Sequence, residues 1–121
     1  MILIADDNEI IVDMLTLLIS SMGHGVDSAI DGETVVAKVK DGDYSLVIMD
    51  IRLIGMSGVQ AAKAIRQLPA PKGSIPILAL TGGMAKPSPH DISEARFDMT
   101  VQKPILPDQL RSIITALAGL P

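Results

Sequence analysis

The sequence predicts an α/β fold in which five strand–helix units build a five-stranded parallel sheet with helices on both faces, a three-layer sandwich. Short apolar runs such as ILIA at 2–5 and SLVIMD at 45–50 end abruptly in polar residues, as buried parallel strands do. Between these runs, apolar residues recur every three or four positions, which is the period of an amphipathic helix. The chain has 121 residues, so we expect one domain over 1–121 and no output domain.

Each predicted strand is a short, mainly apolar run that is closed by a turn or a polar residue. The predicted strands are 2–5, 25–29, 45–50, 75–80 and 99–102. The pattern is weakest at 25–29 and clearest at 45–50 and 75–80. Because parallel neighbours need right-handed crossovers, the segments between these strands must cover the faces of the sheet.

The predicted helices alternate with the strands, and each carries one apolar stripe. They cover about 8–22, 33–40, 58–68 and 107–118, with a short helix at about 90–96. Pro107 suits the first turn of the last helix, where its missing N–H is not needed. The segment 82–97 is the least regular, since two glycines and two prolines leave room for only that short helix.

The composition excludes several function classes. The chain has no cysteine, so disulfides, thiolate zinc sites and thiol nucleophiles are excluded. The opening MILIADDNE fits neither a signal peptide nor a membrane span, and we expect a cytoplasmic protein without membrane contact. The net charge is −4, the bases are scattered, and Tyr44 and Phe97 are the only aromatic residues. Direct nucleic-acid binding is therefore not expected.

Polar side chains follow four of the predicted strands at the point where each strand ends. Asp6 and Asp7 follow the first strand, and Asp50 closes the third. Thr81 follows the fourth strand, and Lys103 follows the fifth. In open α/β sheets the site lies outside the carboxyl ends of the strands, where strand order reverses. We therefore expect these five side chains to converge on one edge of the sheet.

Three carboxylates that crowd together repel one another unless a cation offsets their charge. Oxygen ligands suit a hard cation, and Mg²⁺ takes one or two carboxylates together with phosphate oxygens. Zinc is not expected, because cysteine is absent and His24 and His90 lie elsewhere. Beside Mg²⁺ and a lysine, a carboxylate can attack a phosphoryl group and hold it as an aspartyl phosphate, while Thr81 donates a hydrogen bond to a phosphoryl oxygen.

The spacing of these residues resembles the receiver domain of two-component response regulators. Asp50 lies 43 residues after Asp7, Thr81 lies 31 residues further on, and Lys103-Pro104 follows 22 residues later. The resemblance covers essentially the whole chain, and the joint spacing is highly specific. The ADDNE opening, the MDIRLIGMSG loop and the IRQLPAPKGSIPILALTG stretch are most similar to receivers attached to hybrid sensor histidine kinases.

The resemblance implies a flavodoxin-like fold with strand order 2-1-3-4-5 and a cis peptide before Pro104. It implies that such a domain accepts a phosphoryl group from a phosphohistidine on a sensor histidine kinase or a histidine phosphotransfer protein. The domain then changes its affinity for a partner, with a homodimer among the options. It implies no enzyme beyond catalysis of its own aspartyl phosphorylation and dephosphorylation.

The resemblance also assigns roles to the residues at the predicted site. Asp50 is the phosphoacceptor, and Mg²⁺ is held by the carboxylates of Asp6, Asp7 and Asp50 and by the backbone carbonyl of Arg52. The remaining two residues act on the phosphoryl group. Thr81 is the switch hydroxyl, and Lys103 pairs with the phosphoryl oxygens.

Departures from the family pattern bear on the switch rather than on phosphorylation. Ile54 stands where receivers usually have proline, and Ser57 stands where they usually have aspartate. Thr100 occupies the position of a tyrosine or phenylalanine whose ring moves with the threonine, so a ring switch is impossible here. Pro87 and Pro89 fall early in the usual fourth helix. We therefore predict that phosphorylation orders the segment 82–90 instead of moving a ring.

Three other functions remain open. A phosphorylation-independent binding module that keeps the fold is favoured by Thr100 and by the irregular segment 82–97. A haloacid-dehalogenase-like phosphohydrolase is disfavoured, because the DxD signature of that family is absent from ADDNE. A flavin carrier is disfavoured by the scarcity of aromatic residues. The apolar stripe of the first helix is interpreted mainly as core, and a partly exposed partner contact at its edge, at Ile11 and Met14 where the family docks a kinase or phosphotransfer helix, is left open.

Overall fold

The computed structural model describes residues 1–53, 55–82, 93 and 95–118. Within them, five parallel strands form one sheet in the order β2-β1-β3-β4-β5. The strands are β1 (Ile2–Ala5), β2 (Val26–Ala29), β3 (Leu46–Asp50), β4 (Ile77–Thr81) and β5 (Met99–Gln102). The predicted parallel sheet is confirmed, and so is the strand order that the resemblance implied.

Helices connect these strands, and most begin at a capping side chain. They are α1 (Glu9–Ser21), α2 (Gly32–Asp41), α3 (Gly58–Arg66) and α4 (Pro107–Ala118), with a 3₁₀ turn at Lys72–Ser74. The side chain of Asn8 accepts from the first N–H groups of α1, and Asp31 does the same for α2. Ser57 and Gln60 form a reciprocal capping box at the start of α3.

The helices cover both faces of the sheet, as a three-layer sandwich requires. One core cluster joins β1, β3 and β4 to α2 and α3, and the other joins the opposite face of these strands to α1 and α4. Residues of the central strands β1, β3 and β4 are almost entirely buried. Burial on both faces explains why these runs are continuously apolar.

Two predicted boundaries differ from the structure by more than one residue. The fourth strand begins at Ile77 and includes Thr81, whereas 75–80 was predicted. Ile75 closes the 3₁₀ turn by donating its N–H to Lys72, and Pro76 has no N–H for a ladder, so neither joins the strand. The third predicted helix ends at Arg66 rather than at Leu68.

Other predictions fall on residues at the margins of the described chain. The peptide between Lys103 and Pro104 is cis, as the resemblance implied. The predicted helix at 90–96 lies for the most part outside the described residues, as do Ile54, Pro87, Pro89 and His90. The predicted ordering of 82–90 falls outside them as well, except at Gly82. Across the part of the chain that the structure describes, no helix is both long enough and apolar enough to span a bilayer.

Candidate functional site

Strand order brings two buried carboxylates side by side at the carboxyl edge of the sheet. β1 and β3 are neighbours, and Ala5 is paired with Met49, so Asp6 and Asp50 follow at the same level. Asp6 is 1% exposed and Asp50 is 6% exposed. One carboxylate oxygen from each of Asp6, Asp7 and Asp50 lies within 4.8 Å of the others. The predicted convergence of these acids is therefore present.

A lysine from the edge of the sheet bridges the two buried acids. The Nζ atom of Lys103 lies 3.2 Å from Oδ2 of Asp6 and 3.1 Å from Oδ2 of Asp50. The other carboxylate oxygen of each acid accepts a backbone N–H, from Asn8 at 2.9 Å and from Arg52 at 3.1 Å. Each buried carboxylate is thus oriented by one ammonium and one peptide group.

Burial and like charge set the protonation preferences of this cluster. Burial raises the pKa of Asp6, the charge of Asp50 raises it further, and the Asn8 N–H and Lys103 only partly offset them. For Lys103, burial alone would lower the pKa, but the hydrogen bonds and charges of Asp50 and Asp6 outweigh burial and raise it. Lys103 is therefore a cation at neutral pH, and one positive charge faces three acids.

The donor set fits a hard divalent cation. Asp7 is exposed, and its carboxylate closes the group formed by the two buried acids. Three carboxylates carry more negative charge than the single ammonium of Lys103 balances, so a cation with a preference for oxygen would relieve the repulsion. His24 lies away from this group, in a small cavity beside Met22 and Arg111. The carbonyl of Arg52 as a ligand stays a prediction.

Thr81 ends β4 on the strand next to Asp50. Leu80 is paired with Asp50, so Thr81 lies one residue beyond it along the neighbouring strand. The side chain is buried, and its hydroxyl donates a long hydrogen bond of 3.4 Å to the carbonyl of Val101. The carbonyl of Thr81 accepts the N–H of Lys103 at 2.8 Å. A residue beside the acids is thus bonded to β5 and to the lysine that follows β5.

Sequence reasoning missed a glycine on which the site depends. A Cβ atom on Gly58 would lie 2.1 Å from the carbonyl oxygen of Asp50 and 2.8 Å from Cα of Ile51. The Gly58 N–H donates to the carbonyl of Ile51 at 2.7 Å. Glycine therefore lets the first turn of α3 press against the backbone that carries Asp50. The only signal in the sequence is the Ser57-Gly58 pair at the start of the helix.

Two residues that depart from the family pattern, Ser57 and Thr100, lie among the described residues. Ser57 caps α3 in place of an aspartate, so the loop after Asp50 still ends in a capped helix. Thr100 is exposed on β5. The exposed apolar residues of α1 are Ile10, Met14 and Leu17. Ile11 is half-buried against the core and Met14 is exposed, so both are partly accessible, and a partner contact at either stays a prediction.

Replacing Asp6 with asparagine is expected to increase the free energy of unfolding at neutral pH. The folded state raises the pKa of Asp6, so it favours the protonated form, which asparagine mimics. That preference stabilises the wild-type chain fully below the ordinary Asp pKa and is lost as the pH rises through the raised value. The gain from the substitution should therefore be absent in acid and appear as Asp6 ionises.

Urea unfolding of the wild-type chain and of Asp6→Asn without Mg²⁺, from about pH 3 to about pH 8, measures the difference in their free energies of unfolding. Asp43→Asn is the matched control, because Asp43 is exposed and precedes β3 at the opposite end of the sheet. A gain of equal size at every pH, or none at neutral pH, would contradict the prediction.

Comparison with known proteins gives the chain its relatives. The sequence profile described as "Response regulator receiver domain" matches residues 2–115. The sensor protein GacS of Pseudomonas syringae pv. syringae is 31% identical over 121 residues, 98% of this chain and 13% of that protein. Hybrid signal transduction histidine kinase I of Dictyostelium discoideum is 32% identical over 119 residues, 93% of this chain and 7% of that protein. The chain thus spans a small part of each relative.

Solved structures show the same fold. The receiver domain of sensor histidine kinase PA1611 from Pseudomonas aeruginosa PAO1 has a TM-score of 0.87 at 26% identity, with 98% of this chain and 97% of that chain covered. Its crystal structure has a magnesium ion coordinated in the active-site cleft. A response regulator receiver domain protein from Methanospirillum hungatei JF-1 has a TM-score of 0.86 at 24% identity, with 98% and 92% covered.

Proposed function

This chain belongs to the response regulator receiver domain family, a family of two-component signalling, and from that premise we propose that Asp50 accepts a phosphoryl group with Mg²⁺ bound beside it. The observation that carries the proposal is the convergence of Asp6, Asp7, Asp50 and Lys103 at one edge of the sheet. The donor is a phosphohistidine on a sensor histidine kinase or a histidine phosphotransfer protein.

Transfer is a displacement at phosphorus in which the chain supplies the nucleophile. A carboxylate oxygen of Asp50 forms a P–O bond while the P–N bond to the donor breaks, and the imidazole leaves with the electron pair. The carboxylates of Asp6, Asp7 and Asp50 and the carbonyl of Arg52 would hold Mg²⁺, which supplies charge neutralisation for the transferring oxygens. Burial of Asp50 keeps its carboxylate pre-oriented for attack.

Lys103 and Thr81 act on the phosphoryl group once it is on Asp50. The modification adds about 1.5 to 2 negative charges beside Asp6, and the Lys103 ammonium already within 3.1 Å of Asp50 offsets part of them. The Thr81 hydroxyl exchanges its long bond to Val101 for a bond to a phosphoryl oxygen. Loss of the bond to the Val101 carbonyl thus carries the change at Thr81 to the backbone of β5. Thr100 has no aromatic ring that could carry it instead.

Incubation with acetyl phosphate and Mg²⁺ is expected to add one phosphoryl group to the chain. Intact-mass measurement should show a single adduct of about 80 Da, and EDTA should suppress it, because the acids cannot approach a phosphoryl group without a cation. A chain that forms no adduct under these conditions would favour a phosphorylation-independent binding module, the alternative that exposed Thr100 supports. Turnover of many phosphate esters would favour a phosphohydrolase instead of a domain that acts only on its own aspartyl phosphate.

The face of α1 beside the site is suited to the phosphohistidine donor. Ile10, Met14 and Leu17 are exposed at helical spacing, with Leu17 73% exposed. Residues 1–37 contain acids but no lysine or arginine, so the charged side chains of α1 itself are all acidic. We therefore propose a donor helix with an apolar stripe and basic flanks. We expect the donor and this chain to interact in the cytoplasm, in keeping with a chain that has no cysteine for disulfides.

Leu17→Glu is expected to slow transfer from the protein donor at least tenfold and to leave phosphorylation by acetyl phosphate unchanged. The substitution puts a charge into the apolar stripe without touching the acids. Thr16→Glu is the matched control, since Thr16 lies on the half-buried side of the same turn. The purified kinases and phosphotransfer proteins of the source organism provide the donors, and undiminished transfer from the one that phosphorylates the wild-type chain would disprove this contact.

A further inference from the structure

The loop between β3 and α3 is fixed at its two ends by hydrogen bonds. At the start, the Arg52 N–H donates to Oδ1 of Asp50 at 3.1 Å. At the end, the Gly58 N–H donates to Ile51 at 2.7 Å, and Ser57 caps α3. Between these ends, among the loop residues that the structure describes, Leu53 and Met56 pack against the core on this face of the sheet.

Met56 meets the N-terminus of α2 at a position where only glycine fits. A Cβ atom on Gly32 would lie 2.6 Å from Cβ, 3.0 Å from Cγ and 3.1 Å from the carbonyl oxygen of Met56. Gly32 is buried, and Met56 is packed against the core cluster on this face of the sheet. We call this contact between Gly32 and Met56 the glycine seat.

The glycine seat links the loop that leaves Asp50 to the start of α2, and the β2 end before α2 is bonded to Asp6. α2 begins shortly after Ala29, the last residue of β2, and the Ala29 carbonyl accepts the N–H of Asp6 at 3.1 Å. Met56 belongs to the loop that leaves Asp50. A displacement at the glycine seat therefore changes where the Asp50 loop lies relative to the backbone at Asp6.

We propose that Met56 is a positioning residue: its packing on Gly32 sets the position of the Arg52 backbone. Through that backbone it orients the Asp50 carboxylate, and, on the proposed function, it also places the carbonyl that completes the Mg²⁺ site. Receivers usually carry a proline at the position of Ile54, so in this chain side-chain packing takes over part of the stiffening that the proline ring supplies.

Gly32→Ala is the direct test, with Gly25→Ala as the matched control. A Cβ on Gly25 would meet only the Met1 side chain, at 3.5 Å, so the same methyl group fits there without displacement. In Gly32→Ala we expect Mg²⁺ to bind about tenfold more weakly, as followed by amide NMR during a Mg²⁺ titration. In the Mg²⁺-free protein, the Arg52 amide should exchange with solvent faster relative to the Ile48 amide in the core.

Two further variants keep the test decisive if Gly32→Ala folds poorly. Met56→Ala, which only removes packing, should also speed exchange of the Arg52 amide. Gly32→Ala combined with Met56→Gly moves the methyl group across the contact and should restore much of the Mg²⁺ affinity. Unchanged Arg52 exchange in both single variants overturns the glycine seat. A wild-type chain that binds no Mg²⁺ overturns the metal site instead, and the Mg²⁺-free exchange data still decide the role of Met56.

Discussion

Asp50→Asn is expected to abolish the phosphoryl adduct completely. The amide of asparagine is a poor nucleophile, and no other acid at the site has the same setting. Asp6 is buried and bonded to Lys103 and to the Asn8 N–H, whereas Asp7 is exposed to solvent. The adduct seen with acetyl phosphate and Mg²⁺ should therefore disappear from the mass spectrum rather than decrease.

The fold should survive this substitution, which makes the loss of the adduct specific. Asparagine keeps an oxygen for the Arg52 N–H, and removal of one negative charge relieves the repulsion that adds to burial in raising the pKa of Asp6. The thermal midpoint should thus stay close to that of the wild-type chain, and Asp43→Asn should keep the full adduct. Any phosphoryl adduct that persists in Asp50→Asn would show that another residue is an acceptor.

The clustering of the polar residues at the strand ends was predictable, because parallel β/α topology fixes where the strands end relative to one another. A buried apolar run reports where a strand ends, and the topology places every carboxyl end on one edge. Asp6, Asp50 and Lys103 could therefore be brought together from sequence, although Lys103 is 53 residues from Asp50. The residues carry the signal themselves, since an acid directly after a buried run is unusual.

Contacts between backbone segments could not be predicted in the same way. Hydrophobic period shows that a residue is buried but not which neighbour fills the adjacent space. The predicted helices 58–68 and 33–40 place Gly58 in a first turn and Gly32 just before one, whereas each glycine is required because another segment approaches within van der Waals distance. The long bond from Thr81 to Val101 likewise depends on the register of β4 and β5, which no single run encodes.

Gly58→Ala is expected to lower the free energy of unfolding by about 3 kcal/mol, the upper end of the range for overpacking. An added methyl group would lie 2.1 Å from the carbonyl oxygen of Asp50, so either the first turn of α3 or the end of β3 must move by more than 1 Å to reach ordinary contact. Neither segment is free to move. The Gly58 N–H is bonded to Ile51, and β3 lies between β1 and β4.

Thermal unfolding followed by circular dichroism measures the loss, which corresponds to a fall in Tm of roughly 10 °C for a domain of this size. Gly25→Ala controls for the general effect of alanine on chain entropy, because its methyl group has room. The substitution should also slow adduct formation, since the backbone that must shift is that of Asp50 itself. If the Tm of Gly58→Ala equals that of Gly25→Ala, α3 does not press on the backbone of Asp50. The prediction of a close contact at the end of β3 would then be wrong.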